Sequence, residues 1–370
     1  MSAAVLRCIG LMSGTSADGV DAALIETDGE SAVRPGPSLT LPYEQGFRAR
    51  LRSVLGEAAD EAAIRAVELE LTGLHAEAVE SLIRRHRLDE IALVGFPGHT
   101  ILHRPAARRT RQIGDGALLA RRLGLPVISD FRSADVAAGG HGAPFVPAYH
   151  RALAQGLERP LAVLNLGGVA NVTWIGTGED EILAFDTGPG NALIDDWALR
   201  HLGRPVDAGG ALAARGTVDS SIVARFLAHP FFAAKPPKSL DRDDFAKLAP
   251  EHLSAADGAA SLTRVTAAAV ALARSHLPAA PRRWLATGGG RHNPTLMAAL
   301  GAELACPVEP VEAVGWDGDA LEAQAFGYLA VRSLRGLPLS FPSTTGVPAP
   351  QTGGRLDRPN QAGSAPAAGA

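Results

Sequence analysis

Along the chain, the first strong pattern is an apolar run leading in from Val5 and another leading out through Ile25, separated by small and polar residues with glycines at 14 and 19. Glycine supplies positive φ and Asp-Gly is a strong hairpin signal, so the pattern predicts two antiparallel strands joined by a tight turn. Residues 38–42 read as a third strand. Between residues 60 and 87, Ile64, Val67, Leu71, Leu74, Val79 and Leu82 recur at roughly helical spacing and predict one long helix. Residues 91–94 form a short buried strand that runs into Gly95-Phe96-Pro97-Gly98-His99-Thr100. Asp115 caps a helix that Gly124 ends, and residues 126–129 give a further strand.

The pattern then restarts. Residues 161–166 and 169–174 are strands around the turn Gly167-Gly168, and residues 182–185 are a third strand. A helix over 190–201 ends at Gly203, and helices follow over 218–228 and 261–276. The strand at 284–286 empties into Thr287-Gly-Gly-Gly290, Pro294 suits the first turn of the next helix, and the last long helix runs over 319–334. The fold class is therefore α/β: two copies of a βββαβαβα scheme, facing each other across a cleft. The glycine-rich segment 138–144 marks the junction. The first lobe is 1–138, completed by 335–350; the second is 139–334; residues 351–370 are too poor in large apolar side chains to order themselves.

Composition narrows the function. The 370 residues are 46% hydrophobic and 20% charged, an ordinary globular balance. A formal charge of -4 gives no broad basic surface for nucleic acid. No apolar run reaches the roughly 18 residues of a membrane helix, and Arg7 interrupts the only early apolar stretch, so neither a membrane span nor export is expected. Cys8 and Cys306 read as buried thiols. The expected location is cytoplasmic.

Two glycine hairpins suggest a nucleotide clamp, with backbone amides and the hydroxyls of Ser13, Thr15 and Ser16 aimed at an anion. A phosphate-loop lysine motif and a Gly-x-Gly-x-x-Gly fingerprint are both missing from the sequence. Gly288–Gly290 is either a flexible connection or a place where backbone passes flat under an adenine. Asp186, in Phe185-Asp-Thr-Gly-Pro-Gly-Asn191, ends an apolar strand. It is either a turn-forming aspartate or a carboxylate projecting into a cleft where burial raises its basicity. An aspartic protease needs two carboxylates sharing a proton, and the chain has one Asp-Thr-Gly. His99 and His103 share a strand face too far apart for a zinc pair, although His99 remains a ligand-facing candidate. Glu322 is ambiguous on the residues alone.

Gly10-Leu-Met-Ser-Gly-Thr-Ser-Ala-Asp-Gly-Val-Asp21 resembles the nucleotide motif of the anhydro-N-acetylmuramic acid kinases. The resemblance continues in order through Gln112–Asp115, Asp130–Arg132, Gly142–Pro144, Leu164–Asn171, Phe185–Asn191, Gly288–Gly290 with His292–Pro294, and Asp319–Ala323, spanning about residues 5 to 340. It implies the two-lobed actin-like (sugar kinase, heat-shock, actin) ATPase fold with ATP in the interlobe cleft, a homodimer, and a role in peptidoglycan recycling and amino-sugar catabolism. It implies an ATP segment at Gly14, Thr15, Ser16, Ala17, Asp18, Gly19, Val20 and Asp21, to which the clamp reading of the glycine turns adds Gly167, Gly168, Asn171, Gly288, Gly289 and Gly290. The catalytic aspartate falls on Asp186, with substrate contacts at Glu322, Asp186, His99 and Thr100. Mg²⁺ would be held by water and phosphates near Asp18, Asp21 and Asp186. Two stretches depart from the family pattern: Gly-x-His-Gly-Gln-Thr is here Gly95-Phe-Pro97-Gly-His99-Thr100, and Lys-Ser-Thr-Gly-Arg is Lys238-Ser-Leu-Asp-Arg242. The expected reaction cleaves the 1,6-anhydro ring with simultaneous phosphorylation to N-acetylmuramic acid 6-phosphate. The alternatives are an actin-fold kinase for another sugar and a non-enzymatic ATP-gated clamp that binds protein.

Overall fold

The computed structural model describes residues 3–14, 17–240, 244–248, 250 and 252–360. The chain divides into two compact units, one made of the residues up to Gln155 plus those from Ala320 onward, the other of Gly156–Asp319.

The first unit opens with β1 (Leu6–Met12), β2 (Gly19–Thr27) and β3 (Val33–Pro42), followed by α1 (Gln45–Ser53) and α2 (Glu61–His86). Next come β4 (Leu93–Phe96), β5 (His99–Arg104), β6 (Arg109–Ile113), α3 (Gly116–Leu123), β7 (Val127–Ser129), α4 (Ser133–Ala137) and α5 (Pro147–Leu153). The central sheet has the order β13-β7-β4-β1-β2-β3, where β13 is Arg355–Asp357. β1, β2 and β3 pair antiparallel, whereas β4 runs parallel to β1 and to β7. Period-two alternation sends Ile9 and Leu11 to the face covered by α2 and α3. Gly10 faces the other way, toward the helix Leu321–Leu334.

The second unit repeats the scheme with β8 (Leu161–Leu166), β9 (Val169–Ile175), β10 (Ile182–Pro189), α6 (Ala192–Leu202), α7 (Ser220–Leu227), α8 (Ala255–Ala273), β11 (Trp284–Thr287), α9 (Pro294–Leu304) and β12 (Val308–Pro310). Its order β10-β9-β8-β11-β12 matches β3-β2-β1-β4-β7: third, second, first, fourth, fifth. α8 and α9 bury Val270, Leu296 and Leu300 against Leu164, Val172 and Trp284. A second cluster under α6 and α7 gathers Trp197, Phe226, Phe232 and Phe245. α10 (Leu321–Leu334) and α11 (Pro342–Thr345) then complete the first unit. Among the described residues, no helix is long and apolar enough to cross a membrane.

Three boundaries differ from the sequence expectation. The 138–144 segment is not a junction but an interior turn of the first unit. The buried Asp135 carboxylate accepts the Gly142 amide at 2.6 Å and the Thr345 hydroxyl at 2.6 Å, and also the Ser340 hydroxyl. α5 and α10 likewise belong to the first unit, joined by Tyr149 Oη donating to Gln324 Oε1 at 2.9 Å. The stretch from 351 is ordered through residue 360, because an edge strand needs little apolar surface when backbone bonds hold it. Asp357 pairs with Val127, and Ser129 Oγ donates to Asp357 Oδ2 at 3.1 Å. Residues 361–370 lie outside the described residues.

Candidate active site

In the first unit the β1–β2 hairpin carries Gly14 and the Ala17–Asp21 segment. Thr15 and Ser16 lie outside the described residues. Among the described residues of this turn Ala17 is left-handed (φ 51°), and its amide donates to the Gly14 carbonyl at 2.9 Å. Gly19 does not supply the positive φ; its place is set by the neighbouring strand, where a Cβ would stand 2.6 Å from the Leu41 carbonyl oxygen. Asp18 is exposed, Val20 is buried, and Asp21 accepts a hydrogen bond from Thr40 Oγ1.

Beneath this turn, Ser13 Oγ lies 2.7 Å from Tyr43 Oη and 3.0 Å from His99 Nδ1. His99 is 1% exposed, and burial lowers its pKa, keeping the ring neutral. His99, expected from the sequence to face a ligand, is thus packed directly against Ser13 of the hairpin. Thr100, next on β5, accepts from Gln112 Nε2 at 3.2 Å.

Glu322 sits in the first turn of α10. Burial raises its carboxyl pKa; the Arg132 guanidinium opposes that rise and Asp21 adds to it. Arg132 donates to the Gly142 carbonyl at 3.3 Å, so it ties the glycine-rich turn to the Glu322 neighbourhood. The sequence drew attention to Asp130-Phe-Arg132 without giving Arg132 this role, which depends on contacts remote in sequence.

In the second unit Asp186 lies near the end of β10, opposite Asn171 of β9. The register slips between Asp186 and Gly188, a bulge that re-aims the local side chains. Gly188 is required there: its φ is +148°, and a Cβ would stand 2.9 Å from the Ala269 Cβ. Burial pushes the Asp186 carboxyl up to about 7, opposed by the Leu240 amide, which donates to Oδ2 at 2.8 Å, and by the charge of Lys238. The Gly167 and Gly168 carbonyls accept the amides of Asn191 (2.7 Å) and Gly190 (2.9 Å), and Asn191 Nδ2 donates to the Leu166 carbonyl at 2.6 Å. The second hairpin turn and the start of α6 thus form one rigid piece adjoining Asp186 in sequence.

Gly289–His292 is a 3-10 turn, not a flat extended pass. Gly288 and Gly290 press on the end of β8, where added Cβ atoms would lie 2.3 Å from Asn165 Oδ1 and 2.6 Å from the Leu166 Cβ; a Cβ on Gly289 would enter open space. The buried Arg291 fixes this turn, donating to the Gly288 carbonyl (3.0 Å), Glu312 (2.9 Å) and Asp319 (2.8 Å). Among the described residues, no group of three His, Cys, Asp or Glu could hold a metal by itself. Hard carboxylate oxygens at Asp18 and Asp21 instead suit a Mg²⁺ that keeps most of its waters.

Two copies of one sheet order, each opening on a hairpin, define a duplicated α/β fold. A family model described as Anhydro-N-acetylmuramic acid kinase matches residues 6–356. The chain is 61% identical over 355 residues to the anhydro-N-acetylmuramic acid kinase of Paramagnetospirillum magneticum, covering 95% of this chain and 99% of that one. It is 58% identical to the protein of the same name from Rhodospirillum rubrum, covering 94% and 92%. Among solved structures, component A of (R)-2-hydroxyglutaryl-CoA dehydratase from Acidaminococcus fermentans aligns at 12% identity with a TM-score of 0.49, covering 89% and 99%. The chain belongs to the anhydro-N-acetylmuramic acid kinase family.

Proposed function

We infer that this chain is an ATP-dependent kinase that opens the 1,6-anhydro ring of anhydro-N-acetylmuramic acid and phosphorylates it to N-acetylmuramic acid 6-phosphate, in peptidoglycan recycling and amino-sugar catabolism. The observation that carries the inference is the family match over residues 6–356. It also takes precedence over a protein-binding clamp, since the near-full-length relatives are named as kinases.

Asp186 is proposed as the general base. It takes a proton from the water that attacks the anomeric carbon; the bond from that carbon to the bridge oxygen breaks, and the bridge oxygen bonds to the γ-phosphorus as ADP departs. The phosphoryl group captures the charge developing on the leaving oxygen, so no separate acid is required. A carboxyl near pKa 7 is well matched to base work at neutral pH. ATP is proposed to be held by Gly14 and Ala17–Asp21, by Gly167, Gly168 and Asn171, and by Gly288–Gly290. Mg²⁺ beside Asp18 and Asp21 would neutralise phosphate charge. A homodimer and a cytoplasmic location belong to the same reading.

The test is the reaction in heavy-oxygen water. The label is expected only at the anomeric hydroxyl, with one ADP per ring opened. Free N-acetylmuramic acid accumulating before phosphate transfer, or label in the phosphate ester, would overturn the coupled step.

Glu322 is proposed to accept a hydrogen bond from a sugar hydroxyl. Glu322→Gln keeps shape and removes charge, so KM for the sugar is expected to rise at least tenfold while KM for ATP stays within about twofold. Steady-state kinetics with each substrate varied check this; parallel changes would reduce Glu322 to a helix-start acid favoured by the dipole.

A further inference from the structure

Asp186 lies on β10, which has β9 on one side and, among the described residues, no further strand of the sheet on the other. Residues 238–240 cover that open edge. The Asp186 amide donates to the Lys238 carbonyl at 3.0 Å, and the Leu240 amide returns to Asp186 Oδ2 at 2.8 Å. Backbone and carboxylate of one residue are therefore held by two residues of one short segment.

What holds that segment is Lys238 itself. Its side chain is turned inward, leaving the residue only 9% exposed. The ammonium donates to the carbonyls of Phe231 (3.0 Å) and Phe232 (3.3 Å). It also stands 4.5 Å from the ring centroid of Phe231 and 5.8 Å from that of Phe185, the residue before Asp186. His276 Nε2 lies 3.1 Å from the same Phe232 carbonyl and 3.5 Å from the Lys238 ammonium, closing that side of the group. Carbonyl oxygens and aromatic faces form a cage that selects a cation, and the Asp186 carboxylate adds its charge from nearby. Enclosing a lysine this far is costly unless the charge is well partnered, and here the partners lie beside Asp186.

We propose that Lys238 is a positioning residue for the catalytic base: its caged ammonium pins the 238–240 segment so that the Leu240 amide fixes Oδ2 of Asp186 and Oδ1 is aimed at the proton. This rests on the reading of Asp186 as the base. Misplacing a reacting group by about 1 Å can cost on the order of 10²-fold in rate.

The experiment compares Lys238→Met, Lys238→Arg and Asp186→Asn in the full-length enzyme, measuring kcat, both KM values and thermal unfolding. Lys238→Met is expected to lower kcat by about 10- to 100-fold, with ring opening and ADP release falling together and both KM values within about twofold. Lys238→Arg, which restores a cation over the rings, is expected to recover at least a third of the lost rate on a logarithmic scale. An unchanged kcat in Lys238→Met with Asp186→Asn inactive would overturn the positioning role alone. So would a kcat loss that Lys238→Arg does not recover, or one matched by raised KM values and a lowered melting temperature. An active Asp186→Asn enzyme would overturn the base reading and, with it, this one.

Discussion

Asp186→Asn is expected to abolish ring opening and phosphoryl transfer together, with ATP still bound. General-base catalysis is typically worth about 10²–10⁴ in rate, and one base serving both halves of a coupled step places the loss at or beyond the upper end. The amide keeps the shape of the carboxylate, and its oxygen still accepts from the Leu240 amide, so the bulge at Asp186–Gly188 stays intact. Calorimetry should find ATP affinity within about threefold of the unmutated protein; either half-reaction surviving at more than a few per cent would break the coupling. The same carboxyl sets a pH dependence. Burial raises its pKa to about 7, so the proton is held more tightly than by an ordinary carboxylate, and the active base form is lost as pH falls. The kcat/KM is expected to drop about tenfold per unit below pH 7 and to level off above it. A kcat/KM flat from pH 5 to 8 would exclude Asp186 as the titrating base.

The position of Asp186 near the end of β10, just before a glycine turn, was legible in the sequence, because an acid ending an apolar strand is a local signal. Helix ends were legible for the same local reason. Asp60 and Asp115 accept the amides of Ala63 and Leu118, and Gly124 and Gly203 adopt the left-handed cap. What lies outside the sequence signal is set by long-range bonds. The Leu240–Asp186 bond spans 54 residues and the Thr345–Asp135 bond 210, so nothing in local composition marks either. Glycine density at 138–144 signals a loop equally well inside a unit and between units. α8 begins at Ala255 rather than near 261 because its first turns carry small residues, with Ser254 as the cap and Gly258 tight against the Trp197 indole. The burial of His99 against Ser13, which Tyr43 contacts in turn, likewise depends on partners remote in the chain.

Glycine spacing carries a further signal that becomes readable only with the helix in place. Gly10 of β1 meets α10 backbone to backbone: an added Cβ would stand 1.8 Å from the Ala323 carbonyl oxygen and 2.4 Å from the Gly327 nitrogen. Gly95 of β4 repeats the contact one strand over, 2.2 Å from the Phe326 carbonyl oxygen. These are main-chain atoms, so a rotamer change cannot relieve them, and α10 must lift off the sheet. Gly10→Ala is therefore expected to destabilise the first unit by more than the ~1–3 kcal/mol usual for overpacking. Gly301→Ala is the control with the opposite sign. It sits within α9 with no atom within 4 Å of the new methyl group, and alanine there is expected to be neutral or to add up to about 1 kcal/mol. Lifting α10 also moves its first turn, where Glu322 lies, so surviving Gly10→Ala enzyme should have a raised KM for the sugar with KM for ATP nearly unchanged. Chemical denaturation of both variants with kinetics on the soluble fraction checks the pair. Equal stability of Gly10→Ala and Gly301→Ala would mean that α10 is not seated on β1 through Gly10.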